Sequence, residues 1–285
     1  MSVLIKTDKR HPEYPYLRIL KELLDAPSKQ GPQEHGTSAL FVREMRFDLS
    51  NGEFPLLTTK KVFWKGAMVE LLWNLTGESR LDFMHKHNVH FWDQWATKEV
   101  AEPLGLEEGD VGHIYGPNWI HWKTPDGKEI NQIEWIINGL KEHPEWRRWK
   151  ATTWNPAYLD KTFLVPCHGD IMCFVQDGIL SLTMTQRSGD FFVGVPFNIA
   201  MYSLLLLMLA QVTGLRPGEF VHVIQDVHLY DNHREGAFEQ LSREAKKFPQ
   251  VKLNPDIDNI FAFTAKDITL DDYDSHPHIK VDVDL

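Results

Sequence analysis

The sequence predicts an α+β fold, in which a single domain (residues 1–285) packs helices on a mixed β-sheet around one long buried helix. Three observations predict it. Helical and extended patterns follow one another without a regular βαβ repeat. The longest apolar run, Met201–Val212, is shorter than the roughly 18 to 20 residues of a membrane span and is typical of a buried helix. No repeat, low-complexity segment or linker divides the 285 residues, which can form one core.

The first half of the chain begins with a helix and a strand. Apolar residues recur at helical spacing over 14–26, and Pro27 ends the pattern. Residues 28–37 have the composition of a loop, and the alternation over 40–47 predicts a strand. Gly, Pro, Glu and Asp enrich residues 97–127, which we expect to form surface loops with short pieces of structure. Further helices are predicted at residues 64–75, 81–87 and 132–142.

The second half contains apolar runs, a long helix and a strand. The apolar runs lie at residues 149–154, 171–175 and 180–185. The long helix follows at about 196–213, and the strand is predicted at 220–224. Strands and helices mixed in this way indicate an α+β architecture.

Composition restricts the class of protein. With 40 Asp and Glu against 30 Lys and Arg and no long basic tract, the chain is not expected to bind nucleic acid, and any polyanion should be small. Cys167 and Cys173 are six residues apart around an extended run, so no disulfide and a reducing, cytoplasmic compartment are expected. The start, Met1–Asp8, lacks the apolar core of a signal peptide, and no membrane association is expected.

Cys167 is the first candidate for chemistry. A lone cysteine is more often an inert buried residue than a nucleophile. The segment Gln186–Asp190, one hairpin away, favours the nucleophile, because an arginine close to a thiol lowers its pKa. Arg187 and Ser188 would also suit a phosphate group, whose oxygens a guanidinium meets with charge-assisted hydrogen bonds.

Collinear motifs extend over nearly the whole chain. They are Phe54–Lys61, Glu70–Trp73, Trp92–Trp95, Tyr115-Gly116, Arg147-Arg148, Trp154–Pro156, Leu164–Asp170, Gln186–Asp190, Val195–Ala200, Asp226–His233 and His276–Lys280. In this order they resemble the thymidylate synthase family. The resemblance implies that family's fold, with two subunits packed sheet to sheet as a homodimer. It also implies that C5 of dUMP accepts a one-carbon unit from 5,10-methylenetetrahydrofolate, with no metal.

The resemblance assigns catalytic chemistry to five residues. Cys167 would add to C6 of the pyrimidine and so make C5 nucleophilic. Glu70 would relay protons, and its apolar flanks on a helix argue against a surface position. Tyr115 and His168 resemble the polar network beside the base, and Asp190 resembles the contact to the pterin.

A second set of residues is assigned to binding. The substrate set is Arg187, Ser188, Asn198, His228, Tyr230, Arg147 and Arg148, and the folate set is Trp92, Trp95 and Asp190. Asn198 would pair with N3–H and O4 of uracil, although an asparagine here could also cap a helix. His228 and Tyr230 would bind the sugar hydroxyl. Arg147 and Arg148, alone typical of a solvated pair, would reach the phosphate bound to the other subunit, which implies an obligate homodimer.

The match departs from the family at the device that closes the site. The phosphate loop, residues 32–37, lacks the family's arginine, and the chain ends in Asp284-Leu285 instead of a small and a branched apolar residue. Exclusion of water decides the product, because hydride from the folate gives a methyl group and water gives a hydroxymethyl group. Methylation of dUMP to dTMP is the first hypothesis and dUMP 5-hydroxymethylation the second. The third is an inactive homologue that binds only nucleotide or its own RNA, against which Cys167 and Glu70 argue.

Overall fold

A six-stranded mixed sheet organises the computed structural model, which describes residues 4–30 and 35–282. In chain order the strands of that part are β1 (Ser28–Lys29), β2 (Thr37–Asp48), β3 (Trp122–Lys123), β4 (Glu129–Ile130), β5 (Lys150–Ala151), β6 (Asp170–Gln176), β7 (Ile179–Asp190), β8 (Arg216–Tyr230), β9 (Gln250–Leu253) and β10 (Ile268–Asp271). The large sheet has the order β1-β2-β8-β7-β6-β5. Its neighbours are antiparallel except β7 and β8, which run parallel. Two small antiparallel pairs, β3 with β4 and β9 with β10, lie outside it.

Helices cover one face of this sheet. They are α1 (Tyr14–Asp25), α2 (Trp64–Thr76), α3 (Asp82–Lys86), α4 (Lys98–Ala101), α5 (Gly116–Ile120), α6 (Gln132–Glu142), α7 (Gly194–Thr213) and α8 (Arg234–Leu241). The predicted α+β class is therefore confirmed, and the buried apolar side chains form one continuous core. The short helices α4 and α5 interrupt the loops predicted over 97–127.

The long helix α7 lies at the centre of the core. It is apolar on all sides, so it is stable only where every side is covered. It contacts α2, β7 and β8. Within the described ranges it is the one helix long and apolar enough to cross a membrane, but 83% of that stretch is buried inside the fold. Gly214 ends it in the left-handed conformation, with φ 72°.

The hairpin of β6 and β7 places the candidate cysteine. Its two-residue turn, Asp177-Gly178, has positive φ at both positions (52° and 72°), as a tight turn between twisted strands requires. Asp170 pairs with Thr185, so the residues that precede β6 lie beside those that follow Thr185. The prediction that Cys167 lies one hairpin from Arg187 is thus confirmed. Both cysteines are free thiols.

The other face of the sheet carries apolar side chains that this chain leaves uncovered. Along β6, Ile171 and Cys173 are buried, whereas Met172 and Phe174 are 41% and 56% exposed. Thr183 lies directly opposite Met172, so the two share the exposed face. Phe41 on β2 is 84% exposed.

One apolar run and one predicted strand differ in extent from the strands of the structure. Of the run 149–154, only Lys150 and Ala151 pair with a strand. After Ala151, side chains take the place of a neighbouring strand as hydrogen-bond acceptors for the backbone. The Thr152 N–H donates to Gln132 Oε1 (3.0 Å), and the Thr153 N–H donates to Asp170 Oδ1 (3.3 Å). The strand predicted at 220–224 is longer and extends from Arg216 to Tyr230.

Candidate active site

Arg187 on β7 holds the loop that carries Cys167. Its Nη2 donates to the Val165 carbonyl (2.6 Å) and its Nε donates to the Pro166 carbonyl (2.8 Å). The Arg187 backbone N–H also donates to the Cys167 carbonyl at 2.8 Å. The same Nη2 lies 3.4 Å from the half-buried Cys167 Sγ. One side chain therefore fixes the backbone of the loop and places a positive charge beside the thiol.

Burial dominates the charge state of this thiol. It raises the pKa of Cys167 above its usual value, and the Arg187 guanidinium and the Tyr115 hydroxyl offset only part of that increase. The predicted lowering by Arg187 is present, but burial outweighs it. The resting group is therefore a thiol at neutral pH, and its deprotonation requires a proton acceptor or a change of surroundings on substrate binding.

Tyr115, His168 and Tyr202 form a buried polar chain next to the cysteine. The Cys167 N–H donates to the Tyr115 hydroxyl at 3.4 Å, and the rings of Tyr115 and His168 stack with centroids 4.0 Å apart. His168 Nδ1 lies 2.7 Å from the Tyr202 hydroxyl of α7. Burial lowers the pKa of His168 to about 3, so its imidazole is neutral. Tyr202 was not predicted as a site residue, and its one signal in the sequence is a hydroxyl within a mostly apolar run that also contains Ser203 and Gln211.

Glu70 is buried on α2, as its apolar flanks predicted. It is 5% exposed, and burial raises its pKa to about 7, although the Trp92 hydrogen bond acts in the opposite direction. Trp92 Nε1 donates to Glu70 Oε1 at 2.9 Å. Burial, the nearby Cys167 and the charge of Glu70 all raise the pKa of Tyr115. Tyr115 is thus a neighbour of both the carboxyl group and Cys167.

Aromatic rings surround Trp92, the hydrogen-bond partner of Glu70. The Trp92 ring centroid lies 5.3 Å from that of Trp95, 5.8 Å from Phe163 and 6.3 Å from Tyr115. The Trp95 ring stacks on Phe163 at 6.1 Å. These rings form an apolar wall beside the carboxyl group. Phe163 was not predicted, because nothing separates it from a core phenylalanine in the sequence.

Asp190 precedes α7, and Asn198 lies near the beginning of that helix. Asp190 Oδ1 accepts hydrogen bonds from the N–H groups of Phe192 and Val193, both at 3.0 Å, and lies 3.7 Å from His233 Nδ1. Burial would raise the pKa of Asp190, but the nearby His233 and the hydrogen bond from the Val193 N–H lower it. Asn198 lies inside α7 and does not cap it. It is 6% exposed, and its amide has no hydrogen-bond partner within the described part of the chain.

The predicted phosphate and sugar contacts lie near one carboxylate. Ser188 Oγ donates to Asp226 Oδ2 at 3.4 Å, and His228 Nδ1 lies 3.7 Å from the same oxygen. The Tyr230 ring packs edge-on against His228 at 5.3 Å. The nearby His228 lowers the pKa of Asp226. Asp226 was not predicted as a site residue, although it is part of a quoted motif.

Arg147 and Arg148 are not brought to this pocket within one chain. Both are exposed in the segment between α6 and β5. The Arg148 guanidinium lies 4.4 Å from the centre of the Trp146 ring. Neither guanidinium has a hydrogen bond or ion pair with another residue in the described ranges.

The fold and site define a class of protein, an α+β chain in which a thiol, a neutral imidazole and a protonatable carboxyl group gather around one buried tyrosine. A sequence model of the thymidylate synthase family matches residues 14–285. Because the match covers nearly the whole chain, the chain belongs to the thymidylate synthase family. At the level of the family, it is a folate-dependent transferase that delivers a one-carbon unit from methylenetetrahydrofolate to C5 of dUMP.

Proposed function

We propose that this chain is a cytoplasmic enzyme that reductively methylates dUMP to dTMP, with 5,10-methylenetetrahydrofolate as co-substrate. The observation that carries the proposal is the convergence of three groups. The Tyr115 hydroxyl accepts a hydrogen bond from the Cys167 N–H, and the Tyr115 ring lies 6.3 Å from the ring of Trp92, whose indole N–H donates to the Glu70 carboxyl group. Family membership supplies the reaction class.

Cys167 is the nucleophile in this proposal. Its thiolate adds to C6 of uracil, and the electrons of the C5–C6 double bond move toward O4. C5 then attacks the one-carbon unit, and one C–N bond of the folate breaks. Loss of the C5 proton and of the remaining folate nitrogen would leave a methylene group, which hydride from tetrahydrofolate would reduce to methyl as dihydrofolate forms and the Cys167 thiolate leaves C6. Glu70, with a pKa of about 7, can both accept and donate a proton near neutral pH. His168 is too weak a base for that task, because its pKa is about 3.

The binding residues fit a nucleotide and a folate. The buried amide of Asn198 has no partner in the described ranges and can offer both a donor and an acceptor to the uracil edge. Arg187 and Ser188 would bind the phosphate, and His228 and Tyr230 the sugar. Trp92 and Trp95 would line the folate side. Asp190 would contact the pterin through Oδ2, since its hydrogen bonds within the described chain use Oδ1.

We propose that the active enzyme is a homodimer packed through the exposed face of the sheet. Phe41, Met172 and Phe174 are apolar and exposed on the sheet, an arrangement that a partner surface would bury. Arg147 and Arg148 would then reach the phosphate of the other subunit. Their exposure and lack of partners in the described part of one chain support that role.

Hydroxymethylation of dUMP is the second candidate, and one sequence feature favours it. The family's loop arginine is missing from residues 32–37, and residues 31–34 and 283–285 lie outside the described part of the chain. The structure also shows hydrogen bonds that hold the chain at Asp282. His233 Nε2 contacts the Asp282 carbonyl at 2.8 Å, and Asn232 Nδ2 donates to it at 3.2 Å. His233 also neighbours Asp190, so this contact fixes the C-terminal segment beside the proposed folate site and favours methylation.

The product distinguishes the two candidates. We expect the purified enzyme, given dUMP and methylenetetrahydrofolate, to form dTMP and one dihydrofolate per nucleotide, measured by mass spectrometry and dihydrofolate absorbance. Formation of 5-hydroxymethyl-dUMP with tetrahydrofolate would establish the second candidate instead. Absence of tritium release from C5-labelled dUMP would contradict both.

The cysteine pair offers a matched control for the nucleophile. Cys167→Ser should abolish turnover and keep dUMP binding measurable, because a hydroxyl fits the pocket but is a far weaker nucleophile. Cys173→Ala, on the buried side of β6, should keep turnover. Substantial turnover by Cys167→Ser would exclude the proposed mechanism.

A further inference from the structure

Two histidines and an aspartate lie close together on the surface, near the aromatic rings of Trp92 and Trp95. His85 is on α3, His90 is in the following loop, and Asp93 begins a short 3₁₀ turn, Asp93–Trp95. His85 Nε2 lies 2.7 Å from Asp93 Oδ1, and His90 Nδ1 lies 3.0 Å from Asp93 Oδ2. The two imidazole rings are nearly parallel, with centroids 5.0 Å apart. One potential ligand atom from each residue lies within 4.8 Å of the others.

The backbone holds these three residues together. The Asn88 N–H donates to the His85 carbonyl (2.8 Å), and the Asp93 N–H donates to the His90 carbonyl (3.1 Å). Asn88 adopts a left-handed conformation, with φ 55°, which turns the chain back. Val89 is 1% exposed and anchors the loop in the core. The ligand set is therefore preformed by the fold.

The chemistry of the set points to a metal ion. Two imidazole nitrogens and a carboxylate oxygen are ligands that Zn²⁺ and related divalent transition metals prefer, and water completes such a coordination shell. The side chains of His85, His90 and Asp93 are 43%, 53% and 45% exposed. They can therefore rotate by the small amount that brings ligand atoms about 2 Å from an ion, and an ion can reach them from solvent.

We propose that His85, His90 and Asp93 bind a divalent transition metal of the Zn²⁺ class, outside the reaction centre. The site also bears on the pocket. Asp93 directly follows Trp92, whose indole N–H donates to Glu70 at 2.9 Å. An ion that links Asp93 to α3 restrains the segment that carries Trp92 and Trp95. The proposal does not depend on the product of the reaction.

Zn²⁺ titration of the full chain, purified without a histidine tag and treated with a chelator, tests the site. Isothermal titration calorimetry should show one Zn²⁺ bound per chain, and Co²⁺ should give visible d–d absorption bands on binding. His90→Ala should weaken Zn²⁺ binding by at least about tenfold, the smallest loss common even for an outer-shell partner. Because His90 is exposed, this variant should fold normally.

Two other histidines provide matched controls. His121 pairs with Glu129 at 2.8 Å, a histidine–carboxylate pair with a single imidazole, and His87 is in the same loop but outside the cluster. His121→Ala and His87→Ala should bind Zn²⁺ as the wild type does. Zn²⁺ should also slow hydrogen exchange over residues 85–93 in the wild type and not in His90→Ala.

Two results would overturn the proposal. Absence of Zn²⁺ binding to the wild type would mean that the three side chains form only the contacts of each imidazole with the Asp93 carboxylate. Equal binding by the wild type and His90→Ala, or equal loss in His121→Ala, would mean adventitious binding to surface histidines.

Discussion

At the scale of single residues, burial sets the protonation of the titratable groups in the candidate active site. It raises the pKa of Glu70 to about 7, lowers the pKa of His168 to about 3 and raises the pKa of Cys167. Near neutral pH, the pocket thus contains a carboxyl group that exchanges protons, a neutral imidazole and a thiol. Glu70 is the group best suited to move protons during the reaction.

Glu70 should make the fold less stable as pH rises. Its pKa increases from 4.5 to about 7 on folding, so the folded state binds the extra proton in that window. The contribution of Glu70 to the free energy of unfolding is fully present below a pH of 4.5 and is lost as the pH rises through about 7. Relative to Glu70→Gln, the wild type should lose up to ~3 kcal/mol of unfolding free energy between about pH 5 and about pH 8. Urea denaturation of both proteins measures this difference.

The control for this prediction is an exposed glutamate just after the same helix. Glutamine at position 70 can still accept the hydrogen bond of Trp92 Nε1, so the comparison isolates ionisation. Glu78→Gln removes a carboxylate in solvent and should give no such pH-dependent difference. A constant difference between Glu70→Gln and the wild type across the window would contradict the raised pKa.

Asn198 should decide between uracil and cytosine. Asn198→Asp should weaken dUMP and improve dCMP, because a carboxyl group matches the cytosine edge better than an amide does. A mispaired buried polar group costs about 1–3 kcal/mol. The ratio of kcat/KM for dCMP over dUMP should therefore rise about ten- to hundredfold, measured by steady-state kinetics with both nucleotides. A wild type that already prefers dCMP would contradict the substrate assignment.

At the scale of elements, the sequence predicted helices better than strand ends. The helix at 132–142 agrees with the structure, because its inward face is purely apolar. The strand predicted at 220–224 continues to Tyr230 through Asp226 and His228. Polar side chains that face the pocket break the apolar alternation on which strand prediction depends. Strand ends that line a site are therefore the parts that pattern alone underestimates.

Partners contributed by distant elements could not be predicted from the sequence. The resemblance named Cys167, Glu70 and His168, and the structure places them around Tyr115. Tyr202 contacts His168 only because the fold brings α7 next to the loop that carries His168, a relation that no local pattern contains. Burial raises the pKa of Cys167 more than Arg187 lowers it, and this balance likewise depends on packing.

The loop between Cys167 and β6 depends on one glycine. Gly169 has φ +106°, and a Cβ there would lie 2.3 Å from Thr153 Cγ2. Thr153 is buried and donates to the His168 carbonyl, so it cannot move away without releasing the loop. Gly169→Ala should cost about 1–3 kcal/mol beyond the cost of positive φ, since overpacking is added to strain. Turnover should fall as well, because Cys167 is two residues away.

Gly178 is the matched glycine for this test. It also has positive φ, +72°, but a Cβ there would meet nothing within 4 Å. Gly178→Ala should cost roughly 1–2 kcal/mol, the usual penalty of the left-handed conformation, and keep turnover. Denaturant unfolding and initial rates of both variants separate the two effects. Equal losses in both would mean that the contact with Thr153 has no role.

At the scale of the whole molecule, two features of one chain remain without a partner. The sheet exposes Phe41, Met172 and Phe174, and the Arg147 and Arg148 guanidiniums have no ion pair with a described residue. In an acidic chain, with 40 Asp and Glu against 30 Lys and Arg, two adjacent unpaired arginines are a local site for an anion. A homodimer would bury the apolar surface and place those arginines in the partner's pocket.

Sharing of active sites can be tested by complementation. An Arg148→Glu chain and a Cys167→Ser chain should each be inactive alone, and their heterodimer should contain one pocket with an intact Cys167 and an intact Arg148 from the other chain. Random reassociation of equal amounts should restore about a quarter of wild-type activity, since about half of the dimers are mixed and each has one working site. A chain with both substitutions, mixed with the Arg148→Glu chain, is the control and should restore none. An inactive heterodimer, verified by native mass spectrometry, would mean that each chain holds the phosphate with its own residues and that the arginine pair serves another purpose.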